Sequence, residues 1–448
     1  MDKLQVGYAR VNITPPMGID IAGYYKVRKA EGVLDDLEAV AVAFSCNGKK
    51  TLLMSIDHCG IAKAILDVYK QAISEKTGLP VEAIMIHSTH THTGPTLLPE
   101  TDDVLINQYK QTLLYKVVDV ATFALADLKP AKMGYGVGQA PNVAFIRRYR
   151  MKDGSIRTNP GVNNPDIVSP IGEVDERVNV VRFDRENAES VVLVNFGNHP
   201  DVVGGNLISG DWPSLTRHIL EKSIDNTKCI FFNGAQGDVN HVNVHPKAGD
   251  FNDMFNDFDG CSRGYGHARY VARVVVGAVM QVYDKVNYVD VDSIDYAQEI
   301  VEIPSNKPTP EDMPLAHKYN DLHNAGRDDL IPFEAMMLTT VVAEAARMVR
   351  LENAPDTFPM LFSAMRIGKI GIFGIPGEPF TGVGLGLKET QGYDLVLPCC
   401  NTNAKEGYFP MREAYLEGGY EARSSNFKEG VAERIITEGQ RILGNIRW

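Results

Sequence analysis

The sequence predicts an α/β protein in which mixed β-sheets are flanked by helices. Short β-branched, apolar runs alternate with segments of helical periodicity along the 448 residues. No internal repeat or low-complexity segment interrupts this alternation, and apolar residues make up 44% of the chain while charged residues make up 23%. A chain of this length and composition buries a large core and needs no disulfide bonds or structural metal to fold.

Seven segments have the length and composition of strands. They are Glu38–Ser45, Thr51–Ile56, Ala83–His87, Val191–Phe196, Cys229–Asn233, Ile367–Ile375 and Asp394–Leu397. Six further segments repeat apolar residues with the period of a helix. They are Ala62–Thr77, Val104–Leu128, Trp212–Ser223, Tyr265–Tyr283, Phe333–Leu351 and Asn426–Leu443. Two long segments between them, Asn142–Val174 and His241–Cys261, carry aromatic and charged residues, and we expect them to be loops that wall an active site.

The net charge and the cysteines indicate which partners and which cellular compartment to expect. The net charge of −12 argues against nucleic acid or an anionic membrane as the main partner. No run approaches the ~20 apolar residues of a membrane span, and the start lacks the apolar region of a signal peptide. The six cysteines form no CxxC pair and are predicted to be free thiols in a reducing compartment. We therefore expect a cytoplasmic protein that acts on a small molecule; a homo-oligomer is compatible with this.

Three strand ends carry residues that bind metals. The segment IHSTHTHTGP at residues 86–95 follows one strand, and continued strand geometry would point His90 and His92 to the same face. His199 ends a second strand, and Glu378 follows a third, where a buried carboxylate needs a nearby cation. Each of these side chains has a plainer interpretation as a loop residue that hydrogen-bonds to backbone or solvent. Together, His90, His199 and Glu378 form a zinc-ligand set with one position left for water.

These residues resemble the catalytic domain of the neutral (alkaline, non-lysosomal) ceramidases. The family hallmark HTHSGP appears as HTHTGP at 90–95, and the opening GYARVNITPP at 7–16, followed by AGY at 22–24, matches the family's start. The segments SID at 55–57, LISGD at 207–211, PGE at 376–378 and YEARS at 420–424 also fit. The resemblance runs from Val6 to Phe427. It implies one ceramidase-like domain over residues 1–448, without the family's C-terminal immunoglobulin-like domain.

The resemblance also implies residue roles. His90, His199 and Glu378 fall on the family's zinc ligands, and His92 falls on the histidine beside the metal that helps to polarise the scissile carbonyl. Members of the family cleave the amide bond of ceramide into a sphingoid base and a fatty acid. The chain is therefore expected to be a metal-dependent hydrolase of a linear amide.

Two positions depart from the family pattern. The family's nucleophilic serine falls within the segment NGAQGDVNHV at 233–242, where Asn240 stands in its place, and an amide cannot act as an alkoxide nucleophile. The family's fourth zinc ligand, a tyrosine, aligns with Asn403, and Tyr408 lies near, so the fourth ligand is Asn403, Tyr408 or water. These departures weaken ceramide as the substrate but not the metal, because a zinc-bound hydroxide can attack a carbonyl without a serine.

Other polar residues are assigned to supporting roles. Asn240 would orient the substrate or contribute to an oxyanion site, or it is only a turn-forming residue. Arg147 and Arg148 lie in a locally basic segment and would bind a polar or anionic substrate, or they belong to a solvated hairpin. The carboxylates that we expect to orient the histidine ligands are Asp57, Asp211 and Asp238; each is otherwise a capping or turn residue.

Three functions fit the sequence. The first is a zinc hydrolase that cleaves an amide, or an ester, of a small polar substrate through a zinc-bound water. The second is a zinc lyase or isomerase of a sugar acid or related metabolite, for which the serine is not needed. The third is a binding protein that kept the fold. The stiff, Pro-rich run Ile303–Pro314 is the nearest candidate for a domain boundary, but Glu378 lies beyond it, so both halves must form one domain.

Overall fold

The computed structural model describes residues 3–251, 256–258, 261–262 and 264–447. Within these residues, nine strands form the larger sheet, which is mixed. From one edge to the other its strands are Thr227–Asn233, Ser190–Phe196, Arg177–Arg185, Lys129–Gln139, Gln5–Asn12, Glu38–Cys46, Lys49–Ile56 and Ile84–Ser88, with Asn287–Val289 paired to Lys129–Gln139. A second, four-stranded sheet contains Ile294–Pro304, Thr357–Ile367, Ile370–Gly374 and Leu395–Cys399.

Helices and short strands complete the described part of the chain. The helices are Lys63–Thr77, Val104–Ala126, Asp211–Ser223, Tyr265–Val282, Met313–Asn324, Ala335–Leu351, Thr381–Lys388, Arg412–Glu417, Tyr420–Ser424 and Val431–Asn445. The short strands are Asp20–Ile21, Arg28–Lys29, Gly32–Val33, Phe145–Ile146, Arg148–Met151, Ile156–Thr158, Ile167–Pro170, Leu207–Ile208, Val239–Asn240, Asn256–Phe258, Cys261–Ser262, Glu378–Pro379 and Tyr408–Phe409. The predicted fold class, mixed sheets flanked by helices, is confirmed. None of the helices in the described residues is long and apolar enough to cross a bilayer.

The two sheets pack face to face through one shared apolar core. That core includes Val40 and Leu53 from the larger sheet and Met365, Ile372 and Leu397 from the smaller one, all nearly inaccessible to solvent. Burial of such aliphatic side chains stabilises a fold by roughly 1.5–3 kcal/mol each. The shared core therefore fixes the smaller sheet relative to the larger one. Glu378 follows the strand Ile370–Gly374 of the smaller sheet, and His90 and His199 follow strands of the larger sheet.

The two edge strands of the larger sheet, Thr227–Asn233 and Ile84–Ser88, contact each other. Ser55 Oγ donates to the carbonyl of Phe231 at 2.6 Å, and the backbone N–H of Asn233 donates to His87 Nε2 at 3.0 Å. The other ring nitrogen of His87 contacts the carbonyl of Cys400 at 2.7 Å, where it donates. His87 is thus a buried structural residue that joins both sheet edges and the second sheet, and burial lowers its pKa to about 3.

Several predicted elements differ from the structure in their bounds. The predicted strand Ile367–Ile375 contains the strand Ile370–Gly374 but begins too early, because the preceding antiparallel strand ends at Ile367 and a tight turn follows at Gly368, whose φ of +54° suits a two-residue hairpin. The predicted helix Asn426–Leu443 begins later, at Val431, after Gly430 in the left-handed region. The predicted loop Asn142–Val174 contains four short strands, and the predicted loop His241–Cys261 lies partly outside the described residues.

Five long strands were not predicted, mostly because their sequences lack a simple apolar pattern. Lys129–Gln139 is the clearest case, since it is rich in glycine and lysine. A side chain at Gly138 would place its Cβ 2.0 Å from the carbonyl oxygen of Ala278, so this glycine permits a helix to lie directly on the strand. The other four are Gln5–Asn12, Arg177–Arg185, Ile294–Pro304 and Thr357–Ile367.

The described cysteines agree with the prediction of free thiols. Cys46, Cys59, Cys229, Cys399 and Cys400 are buried and unbridged. The side chain of Cys261 lies outside the described residues.

Candidate metal centre

The three predicted ligands come together at one end of the two sheets. His90 Nε2 lies 3.3 Å from His199 Nε2 and 3.3 Å from Glu378 Oε2, and His199 Nε2 lies 3.5 Å from the same carboxylate oxygen. Each of the three residues is at least 94% buried. The ligands of a tetrahedral ion with bonds of about 2.0–2.1 Å are about 3.3–3.4 Å apart. The three distances are therefore those expected around one metal ion.

The outer nitrogen of each imidazole fixes its tautomer. His90 Nδ1 lies 2.5 Å from the carbonyl of Cys59, and His199 Nδ1 lies 3.1 Å from the carbonyl of Gln236. A carbonyl only accepts, so both Nδ1 atoms carry the proton and both Nε2 atoms of the neutral rings present lone pairs. Those lone pairs face each other and Glu378 Oε2, a carboxylate oxygen that accepts no hydrogen bond from any of the described residues. Three acceptors directed at one point are stable when a cation lies between them, so the residues fit a metal ion.

Electrostatic shifts at these groups follow from the same arrangement. Burial lowers the pKa of His90, but the Glu378 carboxylate and Cys59 outweigh burial and raise it to about 10. Burial raises the pKa of Glu378, but His90 and other positive groups hold it well below its usual range. Burial, with Arg147 nearby, lowers the pKa of His199. A proton and a metal ion thus compete for the same lone pair of His90.

A second group of potential ligands overlaps the first. Cys59, His90 and His92 also lie within reach of one another. Cys59 Sγ, however, approaches His90 at Nδ1, 4.0 Å away, which is the nitrogen already bonded to the Cys59 carbonyl. We therefore assign the metal site to His90, His199 and Glu378.

His92 lies beside the three ligands and not among them. Its Nε2 is 3.2 Å from His90 Nε2, and its Nδ1 is 3.5 Å from Asp201. The ring packs edge-on against Tyr24, whose hydroxyl donates to Asp201 at 2.5 Å. The strand ends at Ser88, and His90 has a φ of +77°, so a strained turn and not continued strand alternation brings the two imidazoles together.

Asp57, Asp211 and Asp238 bond to the chain segments next to the three candidate ligands. Asp57 accepts from Thr89 Oγ1 at 3.2 Å, just before His90. Asp211 accepts from two backbone N–H groups of the turn after His199, and burial raises its pKa to about 7. Asp238 accepts from Thr381 N and Oγ1, just after Glu378. Backbone carbonyls therefore bond the two rings directly, while each carboxylate bonds to the segment that carries one of the three candidate ligands.

Of the other residues predicted to bind substrate or metal, some line the cavity at the site and some are bonded elsewhere. Asn403 accepts from Ile86 N through Oδ1 and donates from Nδ2 to Ser363, so its side chain is already used and it is not the fourth ligand. Tyr408 pairs with Glu378 between two short parallel strands and lines the cavity at the site. Arg147 lines that cavity too.

Arg148 differs from its neighbour Arg147. Its Nη2 donates to Glu417 at 3.1 Å and to the carbonyl of Gly418 at 2.9 Å, and the residue is 3% exposed. These contacts contradict direct substrate binding by Arg148. Its position in a short buried strand, facing the loop before Tyr420, gives it a structural role instead.

Three contacts around the site were not predicted from the sequence. Asn233 Nδ2 donates to the carbonyls of Thr89 and Asn198, which precede the two histidine ligands. Glu421 is fully buried and accepts from Arg147 Nε at 2.6 Å. Asn233 is the last residue of an apolar strand, a position that the sequence could have indicated. The pairing of Glu421 with Arg147 spans 274 positions and leaves no local pattern.

Comparison with known proteins supports the fold. No family model matches the chain. A curated neutral ceramidase of Mycobacterium tuberculosis is 23% identical over 418 residues, which include 82% of this chain. The chain spans about 63% of the length of that relative.

Solved structures match the whole chain. The crystal structure of neutral ceramidase from Pseudomonas aeruginosa superposes with a TM-score of 0.73 at 18% identity, over 100% of this chain and 76% of the other. A ceramidase complexed with C2 gives 0.71 at 15% identity, over 99% and 75%. Sequence and fold together confirm the resemblance that the motifs indicate: the chain is similar to neutral ceramidases in sequence over 82% of its length and shares their fold.

Proposed function

We propose that this chain is a zinc-dependent hydrolase that cleaves an amide bond in a small polar substrate. The observation that carries the proposal is the convergence of His90 Nε2, His199 Nε2 and Glu378 Oε2 at 3.3–3.5 Å from one another. Two neutral imidazoles and one carboxylate are a set found in catalytic zinc sites, which keep one position open. The similarity to neutral ceramidases supports amide hydrolysis as the reaction class.

A bound zinc ion would lower the pKa of a water molecule and polarise an amide carbonyl. The chain itself supplies the groups around that reaction. His92 lines the cavity, and its Nε2 lies beside His90, where it can donate to the carbonyl oxygen of a bound amide. Tyr24 and Asp201 hold the ring in this orientation. Preorganised donors of this kind stabilise the negative charge that develops on the oxygen.

Tyr408 and Arg147 complete the inner wall. The guanidinium of Arg147 lies 5.4 Å from the centre of the Tyr408 ring and is held by Glu421 and the carbonyl of Gly237. Burial, together with the Glu378 charge, raises the pKa of Tyr408, although Arg147 opposes this. Tyr408 therefore keeps its proton and can donate it in a hydrogen bond near Glu378. The fourth metal ligand is Tyr408 or water.

The cavity outside the metal centre suits a polar molecule. It encloses about 450 Å³, within the range of small-molecule sites. Its polar lining includes Lys26, Asp201, His323 and Asp328, and Met336 and Val342 supply apolar contacts. Charged groups on several walls favour a substrate with polar substituents over one with two long hydrocarbon chains.

A substrate screen with isotope-labelled water tests the proposal. The zinc-loaded protein is offered N-acyl amino acids, N-acetylated amino sugars, N-acylethanolamines and a short-chain ceramide. We expect at least one polar amide to be hydrolysed faster than the ceramide, with one ¹⁸O from solvent in the carboxylate product. Turnover of a sugar acid without incorporation of solvent oxygen would instead establish a lyase or isomerase, and a protein that retains no metal would overturn both.

Substitution of Gly23 tests the role of His92 without touching a metal ligand. Gly23 has a φ of +104°, and a Cβ there would lie 2.7–2.8 Å from atoms of the His92 side chain. Gly23→Ala should therefore displace the ring and lower kcat/KM by about 10- to 100-fold, since misplacement by about 1 Å can have such an effect. Zinc content should stay unchanged, as measured by mass spectrometry.

Gly18→Ala is the matched control for Gly23→Ala. Gly18 lies in the same part of the chain with a φ of +85°, and a Cβ there meets nothing within 4 Å. It therefore reproduces the backbone strain without the contact. Equal kcat/KM values for the two variants would contradict a catalytic role for His92.

A further inference from the structure

Asn240 occupies the position of the family's serine, but its side-chain amide is already bonded within the protein. The backbone N–H of Val242 donates to Asn240 Oδ1 at 3.0 Å, which identifies that atom as the oxygen. Asn240 Nδ2 must then be the donor, and it lies 3.0 Å from Asn159 Oδ1. The orientation of one amide thus determines the orientation of the next.

Asn159 is the end of this chain of hydrogen bonds. Because its Oδ1 accepts from Asn240, its Nδ2 faces away from that bond with two N–H groups. Among the described residues, no hydrogen bond joins this nitrogen to another protein group. Asn159 keeps 7% of its surface exposed where it lines a cavity, so its N–H groups are available to a molecule bound there. A few precisely placed polar groups of this kind fix the orientation of a ligand in its pocket.

The position of Asn159 is at the junction of two cavities. It lines the cavity of about 450 Å³ that also contains His92 and His199. It lines a second cavity of about 650 Å³, whose wall includes Ile156, Phe333 and Met337. The backbone there is strained, since Asn159 has a φ of +45°, and its N–H is held by the carbonyl of Arg147. Strain of this kind at a ligand site is fixed by the surrounding contacts.

We propose that Asn159 is the specificity-determining residue at this junction, where its side-chain N–H groups bind a hydrogen-bond-accepting oxygen of the substrate. Asn240 is the positioning residue that fixes the orientation of the Asn159 amide. The oxygen belongs to an ether, hydroxyl or carbonyl group in an arm that extends from the metal centre past Asn159 into the second cavity. This inference deepens the proposed function and rests on the metal centre that it assigns.

Hydroxamic acids test the inference without turnover, because the hydroxamate group chelates zinc and anchors an alkyl arm at the metal. The series contains one straight-chain parent and analogues in which an ether oxygen replaces each methylene in turn. Binding to the zinc-loaded protein is measured by calorimetry. We expect one ether position to bind about 5- to 10-fold more tightly than the parent, as one neutral hydrogen bond provides.

Two isosteric variants separate the two asparagines. Asn159→Asp keeps the oxygen that accepts from Asn240 but replaces the donor by an oxygen, so the ether preference should vanish or reverse. Asn240→Asp keeps the acceptor for Val242 but faces Asn159 with a second oxygen. The Asn159 amide should then flip and present its own oxygen to the cavity, which removes the preference although the cavity-lining residue is unchanged.

Asn142→Asp is the control for added charge at a left-handed position. Asn142 is exposed with a φ of +60°, and its variant should keep the full ether preference. A wild-type protein that favours no ether position, or a preference that survives Asn159→Asp, would overturn the specificity role. A preference that survives Asn240→Asp would overturn the positioning role. Failure of every hydroxamate to bind would instead refute the metal centre, and the inference would fall with it.

Discussion

Glu378→Gln is expected to remove the metal and the activity together. The amide is nearly the same size as the carboxylate but provides no negative charge at 3.3 Å from His90 Nε2 and 3.5 Å from His199 Nε2. Loss of an outer contact to a metal ligand typically lowers metal affinity by about 10- to 100-fold. Loss of a ligand should exceed that range, so zinc content should fall close to zero after dialysis, with no measurable hydrolysis.

The measurement is metal content per chain by mass spectrometry, together with kcat/KM on the amide found in the screen. Glu389→Gln is the matched control, because Glu389 is exposed at the end of the helix Thr381–Lys388 and lies outside the site. It should retain both metal and activity. Full zinc occupancy in Glu378→Gln would exclude Glu378 from the ligand set and contradict the proposed mechanism.

Arg217→Met is expected to cause the largest loss of stability of the variants considered. Arg217 is 1% exposed and donates to both carboxylate oxygens of Asp57, at 3.0 and 2.5 Å, and Asp57 is fully buried. Removing one partner leaves an uncompensated buried charge, which costs about 3–5 kcal/mol. The free energy of unfolding should therefore fall by that amount in chemical denaturation, while the folded protein still binds zinc.

Two further variants isolate the cause. The double variant Arg217→Met with Asp57→Asn removes the orphaned charge and should recover part of the loss. Arg157→Met removes an exposed pair with Asp153, in which both side chains are about half exposed, and should change stability by less than about 1 kcal/mol. If the double variant were no more stable than Arg217→Met alone, the buried charge would not be the source of the destabilisation.

Local sequence was sufficient to predict the α/β fold class and the resemblance to ceramidases, and it selected three candidate metal ligands that the structure brings together. His90, His199 and Glu378 each follow an apolar strand, and the ends of buried strands are where a fold can present side chains to a common cleft. The sequence also predicted free cysteines and a role for Arg147 at the cavity. These features leave a pattern within about ten residues, so they can be recognised without the fold.

The contacts that make the site specific depend on residues far apart in the chain. The Cys59 and Gln236 carbonyls fix the ring tautomers, Glu421 holds Arg147, and Asn240 orients Asn159 across 81 positions. Only the tertiary structure shows that the Asn403 side chain is bonded to Ile86 and Ser363, and that Arg148 pairs with Glu417 and does not line the cavity at the site. A hydrogen bond requires a distance and an angle between two atoms, and only the packed sheets fix both when the partners are distant in sequence.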